Sequence, residues 1–359
     1  MCKEWIIITL SLILLSCNKD CSTIEGCTDQ NAINYNALAS IEDNSCNYIY
    51  NLEYPSNFPN INIPSNNLLT IQGVELGKKL FNDPILSADN SISCVDCHNP
   101  SSSFSDPNQF STGVTGLTGN RNASAIINPG WSSFFNWDGS AFSLEEQAFE
   151  PVRNPLEMNN TWENVENTLN NSQEYRNLFK KAFNIEYIDS THVVMALAQF
   201  ERTLISANSK YDQWTRSEAQ LTPSELNGYA IFNSEKADCF HCHGTIMLTD
   251  NTFHNNGLDE EPFLDLGLEN VTGLITDKGK FKTPTLRNIE FSSPYMHDGR
   301  FTTLEEVVEH YDSGGKYSST IDPLMKKIGV GLQLTNQEKI DLINFLKTFS
   351  DYQFINSKD

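Results

Sequence analysis

Apolar residues recur at helical spacing in several stretches of the chain, and residues with helix-capping chemistry precede them. Thr222, followed by a proline and then by Glu225, predicts the start of a helix that runs to Phe232. Thr70 precedes a similar stretch that runs to Phe81. These signals predict a mainly helical protein.

Two further helices are predicted from the same kind of pattern. One begins near Ser190, and its apolar face comprises Val193, Val194, Leu197, Phe200, Leu204 and Ile205. The other follows a capping box over residues 335–338, and its apolar face comprises Ile340, Ile343, Leu346 and Phe349. We expect these two helices to be the packing partners of the first pair.

The first two helices end in the same way, which indicates an internal repeat. Residues 77–82 are Gly-Lys-Lys-Leu-Phe-Asn, and residues 228–233 are Gly-Tyr-Ala-Ile-Phe-Asn. A glycine one turn before an aromatic residue lets another helix cross closely, because glycine has no side chain. The repeat predicts two helical units, over residues 66–215 and 216–359.

Each predicted unit contains one Cys-x-x-Cys-His pentad, the attachment signature of a c-type haem. The two thiols form thioethers with the haem vinyl groups, and the histidine becomes the proximal ligand of the iron. A structural zinc site and a thioredoxin-like pair are the alternatives, but zinc needs four clustered ligands and the pentads are far apart in the chain. The predicted haem-binding residues are Cys94, Cys97, His98, Cys239, Cys242 and His243.

Two long stretches, residues 101–135 and 245–300, are rich in glycine and asparagine. Loops of this length usually build sites, so we expect them to wrap the haems. The sixth iron ligands then decide the function. A haem with one protein ligand can bind peroxide, whereas a haem with two protein ligands only transfers electrons.

The first residues predict export. Residues 6–15 form an apolar run that is too short to span a bilayer, and residues 14–17, Leu-Leu-Ser-Cys, resemble a bacterial lipobox. We therefore expect a signal peptide over residues 1–17 and a lipoprotein anchored to a membrane through Cys17, on the periplasmic side or at the cell surface. An ordinary signal peptide with a nearby cysteine is the alternative.

Residues 18–65 are predicted to form a small module and a tether. Residues 26–46 resemble a cysteine-bounded module of exported bacterial proteins, in which a Cys27–Cys46 disulfide would contribute about 3 kcal/mol. Residues 47–65, rich in Asn, Pro and Ser, are interpreted as the tether. Cys21 is left without an assigned role.

The chain is strongly acidic, with a formal net charge of −22. This charge disfavours binding to nucleic acid or to anionic membranes, and it is compatible with electrostatic steering of a basic protein partner. Charge retained for solubility is the alternative explanation.

Several motifs occur together in a fixed order, at residues 76–84, 93–98, 121–122, 137–139, 144–148, 157–158, 281–288, 295–299 and 304–306. With these motifs the chain resembles the bacterial di-haem cytochrome c peroxidase family over roughly residues 70–350. That family includes MauG-type enzymes, which oxidise side chains of a partner protein. The resemblance implies two tandem class I cytochrome c-like domains with one covalent haem each, the peroxidatic haem in residues 66–215 and the electron-transfer haem in residues 216–359.

The resemblance also implies roles for three side chains. Glu157 matches the distal acid–base group, which would take a proton from peroxide and pass it to the leaving oxygen. Gln147 matches a distal amide that holds peroxide, and Trp137 matches an indole that relays electrons between the haems. Without the resemblance, the three would be interpreted as a solvated loop residue, a polar helix residue and a core residue.

One departure from the family concerns the first haem. In many family peroxidases a histidine before a glycine blocks the peroxidatic iron until the other haem is reduced. Residues 111–114 here are Ser-Thr-Gly-Val, and no histidine occurs between Asn99 and Glu157. Because the hydroxyl of Thr112 is a poor iron ligand, we predict a first haem that is five-coordinate or water-bound without prior reduction.

A second departure concerns the other iron. Tyr311 stands where the family peroxidases have methionine, and MauG-type members have tyrosine there. An anionic tyrosinate favours ferric iron, whereas a thioether favours ferrous iron. We predict Tyr311 as the sixth ligand, with Met296 and Met247 as the alternatives.

The family also holds a calcium ion between its domains. Asn122 matches the side-chain ligand, and Ser292 and Pro294 match the backbone carbonyl donors, which are the oxygen ligands that calcium prefers. A structural asparagine is the alternative.

The resemblance implies an enzyme that reduces hydrogen peroxide to water with electrons from a small redox protein, such as a c-type cytochrome. A MauG-like oxidase acting on a protein substrate is the second hypothesis. A non-enzymatic di-haem electron carrier is the third, and it would require two six-coordinate irons. A homodimer is compatible with any of these functions.

Overall fold

The computed structural model describes residues 23–356. Its contacts divide the chain into two compact units, residues 1–46 and 47–359. The expected signal peptide, Cys17 and Cys21 lie outside the described residues. No helix within residues 23–356 is both long enough and apolar enough to cross a bilayer.

The described part of the first unit is a small disulfide-linked loop structure. Strands β1 (Glu25–Gly26) and β2 (Ile41–Glu42) pair in parallel. Cys27 and Cys46 are joined by the expected disulfide, with their Cα atoms 4.7 Å apart. The bond closes the segment between them into a loop, which stabilises the fold by reducing the entropy of the unfolded chain.

The second unit is mainly helical, as expected. The helices of its N-terminal half are α1 (Ile71–Asn82), α2 (Cys94–Cys97), α3 (Leu144–Gln147), α4 (Phe149–Arg153), α5 (Trp162–Asn171), α6 (Gln173–Phe183), α7 (Ser190–Glu201) and α8 (Lys210–Thr215). Those of its C-terminal half are α9 (Pro223–Phe232), α10 (Phe240–His243), α11 (Glu269–Thr272), α12 (Leu304–Ser313), α13 (Asn336–Lys347) and α14 (Tyr352–Asn356). Strands β3 (Phe253–His254) and β4 (Phe281–Lys282) form an antiparallel pair.

The repeated glycines lie where two helices cross, as the sequence predicts. A Cβ atom on Gly77 of α1 would be 1.9 Å from the backbone oxygen of Ala196 in α7. A Cβ atom on Gly228 of α9 would be 2.0 Å from the backbone oxygen of Asp341 in α13. Both helix pairs are therefore in backbone contact at the same position of the repeat.

We expect Gly77→Ala to lower the free energy of unfolding by about 3 kcal/mol, because the new methyl group would push α1 away from α7. Chemical denaturation would measure the change. Gly119→Ala is the matched control, since no atom lies within 4 Å of its Cβ position, and it should change stability by less than about 0.5 kcal/mol. Equal stability of the two variants would show that the crossing is not tight.

Each half has a hydrophobic core of its own. The first includes Leu80, Phe81, Phe179, Val193 and Leu197, and the second includes Phe232, Leu304, Leu342, Phe345 and Phe349. A residue near the end of each half packs against the core of the other half. Phe354 near the C-terminus packs into the first core, and Trp214 of α8 packs against the second.

Residues 47–65 differ from the interpretation as a tether. The side-chain amide of Asn47 donates to the backbone oxygen of Ala182 (2.6 Å), and the indole of Trp131 donates to that of Pro59 (2.8 Å). The segment therefore lies on the surface of the second unit. Its Asn- and Pro-rich composition reflects an irregular backbone fixed by such bonds, and composition alone does not distinguish it from a flexible linker.

Two details of the predicted helices also differ. Helix α7 ends at Glu201, so Leu204 and Ile205 lie beyond it. Ile340 is 52% exposed, although the spacing placed it on the buried face of α13. The buried face of that helix is instead centred on Leu342 and Phe345.

Candidate active site

Both Cys-x-x-Cys-His pentads line one cavity of about 850 Å³. A second cavity of about 70 Å³ lies beside the first pentad. None of the four thiols forms a disulfide. The wall residues contributed by the pentads are Cys94, Cys97, His98, Cys239, Cys242 and His243. Thiols and imidazoles on the wall of a large internal space fit two covalently bound haems.

The two histidines are held in the same way. The Nδ1 atom of His98 donates to the backbone oxygen of Phe104, and that of His243 donates to the backbone oxygen of Leu248, each at 2.9 Å. Burial lowers the pKa of both imidazoles, and the carbonyl bonds oppose this. A neutral imidazole bonded through Nδ1 leaves Nε2 available to an iron atom.

The carbonyl acceptors share an unusual backbone conformation. Phe104 has φ +56° and Leu248 has φ +54°, both in the left-handed region that large side chains rarely adopt. Such strain persists where the surroundings enforce it, and here it aims a carbonyl at each histidine. The repeat in the sequence therefore extends to the support of both pentads.

The structure brings Glu157 and Gln147 together in the small cavity beside the first pentad. Thr112, Gly113 and Pro151 complete this part of its wall. Among the described residues that line it, His98 is the only histidine. Besides His98 and the two thiols of the pentad, this cavity therefore has a carboxyl and an amide on its wall and no second histidine among the described residues.

The carboxyl group of Glu157 is buried and accepts a hydrogen bond from the side-chain amide of Asn154 at 2.7 Å. Burial raises the pKa of Glu157, the bond from Asn154 opposes the rise, and the charge of Glu150 adds to it. A raised carboxyl pKa moves the group towards the pH range in which it can both accept and donate a proton.

Two of the three candidate ligands for the second iron lie side by side. The amide nitrogen of Asn256 is 3.2 Å from the hydroxyl oxygen of Tyr311 and 3.6 Å from the sulfur of Met296. Burial raises the pKa of Tyr311 to about 12, and the bond from Asn256 opposes the rise. Met247, by contrast, packs in a separate apolar cluster with Phe58.

Trp137 lies where the two halves meet. Its indole donates to the backbone oxygen of Asn122 (2.8 Å), and its own backbone oxygen accepts from the N–H of Lys282 (2.8 Å). In turn, the N–H of Asn122 donates to the backbone oxygen of His297 (2.8 Å). Trp137 also lines the cavity shared by both pentads.

The residues matched to a calcium site line the same large cavity. The side-chain amide of Asn122 contacts the backbone oxygens of Asp106, Asn108 and Gln109 at 3.0–3.3 Å. Ser292 and Pro294 belong to the cavity wall as well. The side-chain nitrogen of Asn122 donates to these three carbonyl oxygens, so its nitrogen rather than the oxygen that would bind calcium faces them.

The internal repeat shows an asymmetry that the sequence reasoning missed. Helices α3 and α12 begin alike, with Ser143 and Thr303 accepting the N–H of the glutamate three residues later. Aligned on these caps, Pro151 occupies the position of Tyr311. Proline has no side-chain donor atom, so the position that holds a phenol in the second half holds no ligand in the first.

Glu201 was also missed. It is only 5% exposed, it lines both cavities, and burial raises its pKa to about 8. The available signal was a glutamate directly after Phe200, near the end of a helical stretch that is apolar over residues 193–198. Its burial beside the first pentad depends on tertiary packing, which periodicity does not give.

Comparison with known proteins identifies the family. Residues 71–220 match the family model described as di-haem cytochrome c peroxidase. The methylamine utilization protein MauG of Methylorubrum extorquens is 38% identical over 287 residues, which cover 79% of this chain and 80% of the relative. The chain belongs to the di-haem cytochrome c peroxidase family.

Two further comparisons support the same family assignment. The cytochrome c551 peroxidase of Nitrosomonas europaea is 35% identical over 283 residues, covering 78% of this chain and 80% of the relative. The crystal structure of a MauG-like protein associated with microbial copper homeostasis has a TM-score of 0.81 and 34% identity, covering 86% of this chain and 98% of that one. Because each match covers more than three quarters of this chain, each must include both of its pentads.

Proposed function

We propose that this family member is an exported di-haem peroxidase that reduces hydrogen peroxide to water. Electrons would come from a small redox protein, such as a c-type cytochrome, and pass through the second haem. The observation that supports the proposal is the unequal set of residues that line the cavities beside the two pentads. The first has Pro151 and Thr112 beside Gln147 and Glu157, and the second has Tyr311.

The two pentads would each hold one c-type haem, in two cytochrome c-like domains over residues 66–215 and 216–359. A haem held there would supply redox-active iron, the chemistry needed to accept electrons and reduce peroxide. Overall, one peroxide accepts two electrons and two protons and yields two water molecules. The chain must therefore bind peroxide, move its protons and conduct the electrons.

Glu157 would move the proton within the peroxide. Its carboxylate takes a proton from one oxygen and delivers it to the other, which then leaves as water. The amide of Gln147 would orient the peroxide by hydrogen bonding, and the ring of Pro151 would exclude competing ligands. Because no histidine occurs between Asn99 and Glu157, peroxide could enter without prior reduction.

Trp137 would relay electrons across the junction. Its indole is fixed by the bond to Asn122, and its ring lines the cavity shared by the pentads. A calcium ion held by Asn122, Ser292 and Pro294 would stabilise the same junction. Export and anchoring through Cys17 would place the enzyme on the periplasmic side or at the cell surface.

A MauG-like oxidase is the second candidate, and Tyr311 favours it. A tyrosinate ligand stabilises oxidised iron, which suits a protein that extracts electrons from a substrate side chain. The shared features of the two candidates are the open first iron and the closed second iron. They differ in the electron source, which is either a redox protein or a protein substrate.

Tyr311→Phe should change the second haem and leave the first unaltered. Without the anionic oxygen, the second iron is expected to become high-spin and its midpoint potential to rise, because the tyrosinate stabilises the ferric form. Optical and EPR spectroelectrochemistry would measure both effects. Tyr317→Phe, at a tyrosine that is 71% exposed, is the control. An unchanged second haem in Tyr311→Phe would leave Met296 as the ligand.

The function is tested by steady-state turnover of the protein carrying two haems. The proposal predicts that ferrous cytochrome c is oxidised by hydrogen peroxide with two electrons used per peroxide. Oxidation of tyrosine or tryptophan in an added protein, without turnover of cytochrome c, would favour the MauG-like alternative. If neither reaction occurred in the di-haem protein, an electron carrier would be the better description.

A further inference from the structure

Lys282 is a lysine without an ion-pair partner among the described residues. Its side chain is half-buried and lines the cavity that both pentads share. Its ammonium nitrogen has one polar contact, the backbone oxygen of Thr283 at 3.4 Å, which is a long distance for a hydrogen bond. Within residues 23–356 no carboxylate lies within 4 Å of it.

The other lysines of the described chain behave differently. Lys278 and Lys280, its neighbours along the chain, pair with Glu269 and Asp277. Those that have no ion pair are exposed to solvent, and they are Lys78, Lys181, Lys316, Lys327 and Lys347. Among residues 23–356, Lys282 alone is both withdrawn from solvent and unpaired. A cation in that state requires an anion or loses its charge.

The fold holds Lys282 firmly at this place. It belongs to β4, which pairs with β3, and its backbone N–H donates to Trp137 from the other half. Burial lowers the pKa of its ammonium group to about 8, and the charge of Asp250 opposes the decrease. The fold therefore fixes the amino group of Lys282 at the junction of the two halves, on the wall of the cavity that the haems would fill.

We propose that Lys282 binds a haem propionate. This inference depends on the proposed function only in requiring that both haems be attached. Each haem brings two propionate carboxylates into the cavity, and one of these carboxylates would be the ion-pair partner that Lys282 lacks. Either haem could provide the propionate, because Lys282 contacts elements of both halves. The positive charge of Lys282 would offset the negative charge of the propionate, which otherwise repels an electron added to the iron. The haem that carries this propionate would therefore be easier to reduce, and its midpoint potential would be higher.

The test compares Lys282→Met with Lys280→Met, which removes the same charge from a lysine paired with Asp277. Midpoint potentials of both haems are measured at one pH by spectroelectrochemistry. We expect Lys282→Met to shift the reduction equilibrium of one haem about tenfold towards the oxidised form, or about 59 mV for a one-electron couple. The haem whose absorption bands report the changed midpoint potential is the source of the propionate. Equal potentials in the two variants would overturn the proposal.

Lys282→Arg keeps the charge and should retain a potential close to that of the unsubstituted protein. If mass spectrometry shows that Lys282→Met does not attach two haems, the midpoint potentials of Lys282→Arg and Lys282→Gln are compared instead. A lower potential only in Lys282→Gln supports the proposal, and equal potentials refute it. A failure of the peroxidase assay in the unsubstituted protein would leave this measurement valid, because it does not use turnover.

Discussion

Replacing Glu157 with glutamine is expected to slow the reaction with hydrogen peroxide by about 10²–10⁴-fold, the usual contribution of a positioned acid–base group. Glutamine keeps the size and the hydrogen-bonding capacity of the side chain, but it cannot accept and return a proton. The bond from Asn154 holds the carboxyl group in the small cavity beside His98. Stopped-flow mixing of the diferric protein with peroxide would measure the rate constant.

Glu163→Gln provides the matched control for this prediction. Glu163 lies in the first turn of α5, in the same half of the protein, and is exposed to solvent. The control removes the same charge and should react with peroxide as fast as the unsubstituted protein. If Glu157→Gln retained both haems and the full rate constant, the role proposed for Glu157 would be wrong.

Arg287→Met should lower the free energy of unfolding by about 3–5 kcal/mol, the usual effect of breaking a buried ion pair. The two terminal nitrogens of the Arg287 guanidinium group lie 2.9 Å from the carboxylate oxygens of Asp212, and both side chains are fully buried. The guanidinium group also donates to the backbone oxygens of Ser206 and Ile246. Its loss would leave a buried carboxylate without a partner. Urea denaturation would measure the change.

The double variant Arg287→Met with Asp212→Leu separates loss of the pair from loss of packing. Because both charges are removed, most of the stability should return. Burial alone would raise the pKa of Asp212, but the bonds and charge of Arg287 lower it overall. The contribution of the pair should therefore be present above about pH 4 and be lost as the pH falls through the lowered pKa. No recovery in the double variant would attribute the effect to the backbone contacts of Arg287 or to the capping bonds that Asp212 accepts from Ser209.

Much of the helical frame could be predicted from local chemistry. Thr70, Thr222 and Thr335 cap helices at the expected positions, because capping depends on residues only three positions apart. The glycines at 77 and 228 mark real helix crossings, since only glycine fits against a backbone carbonyl. Ile340 shows the limit of periodicity. Spacing defines a face of a helix, but the neighbouring elements determine which face is buried.

The support around the candidate site could not be predicted in the same way. Lys282, Asn256 and Glu201 obtain their surroundings from contacts between residues far apart in the chain. The polar contact of Asn256 with Tyr311, for example, joins a loop to helix α12. The alignment of Pro151 with Tyr311 was available in the sequence, as the seventh residue after the leucine of each Leu-Glu-Glu motif. The equivalence of the two positions follows from the matching helix caps at Ser143 and Thr303.

Azide titration of the freshly purified diferric protein, followed by EPR and optical spectra, tests most directly whether one iron is open and the other closed. We predict that azide converts one haem per molecule, the one attached at Cys94 and Cys97, from high-spin to low-spin without any reductant. The haem attached at Cys239 and Cys242 should not change. Binding of azide to neither haem, or to both, would show that the protein does not combine one open iron with one closed iron.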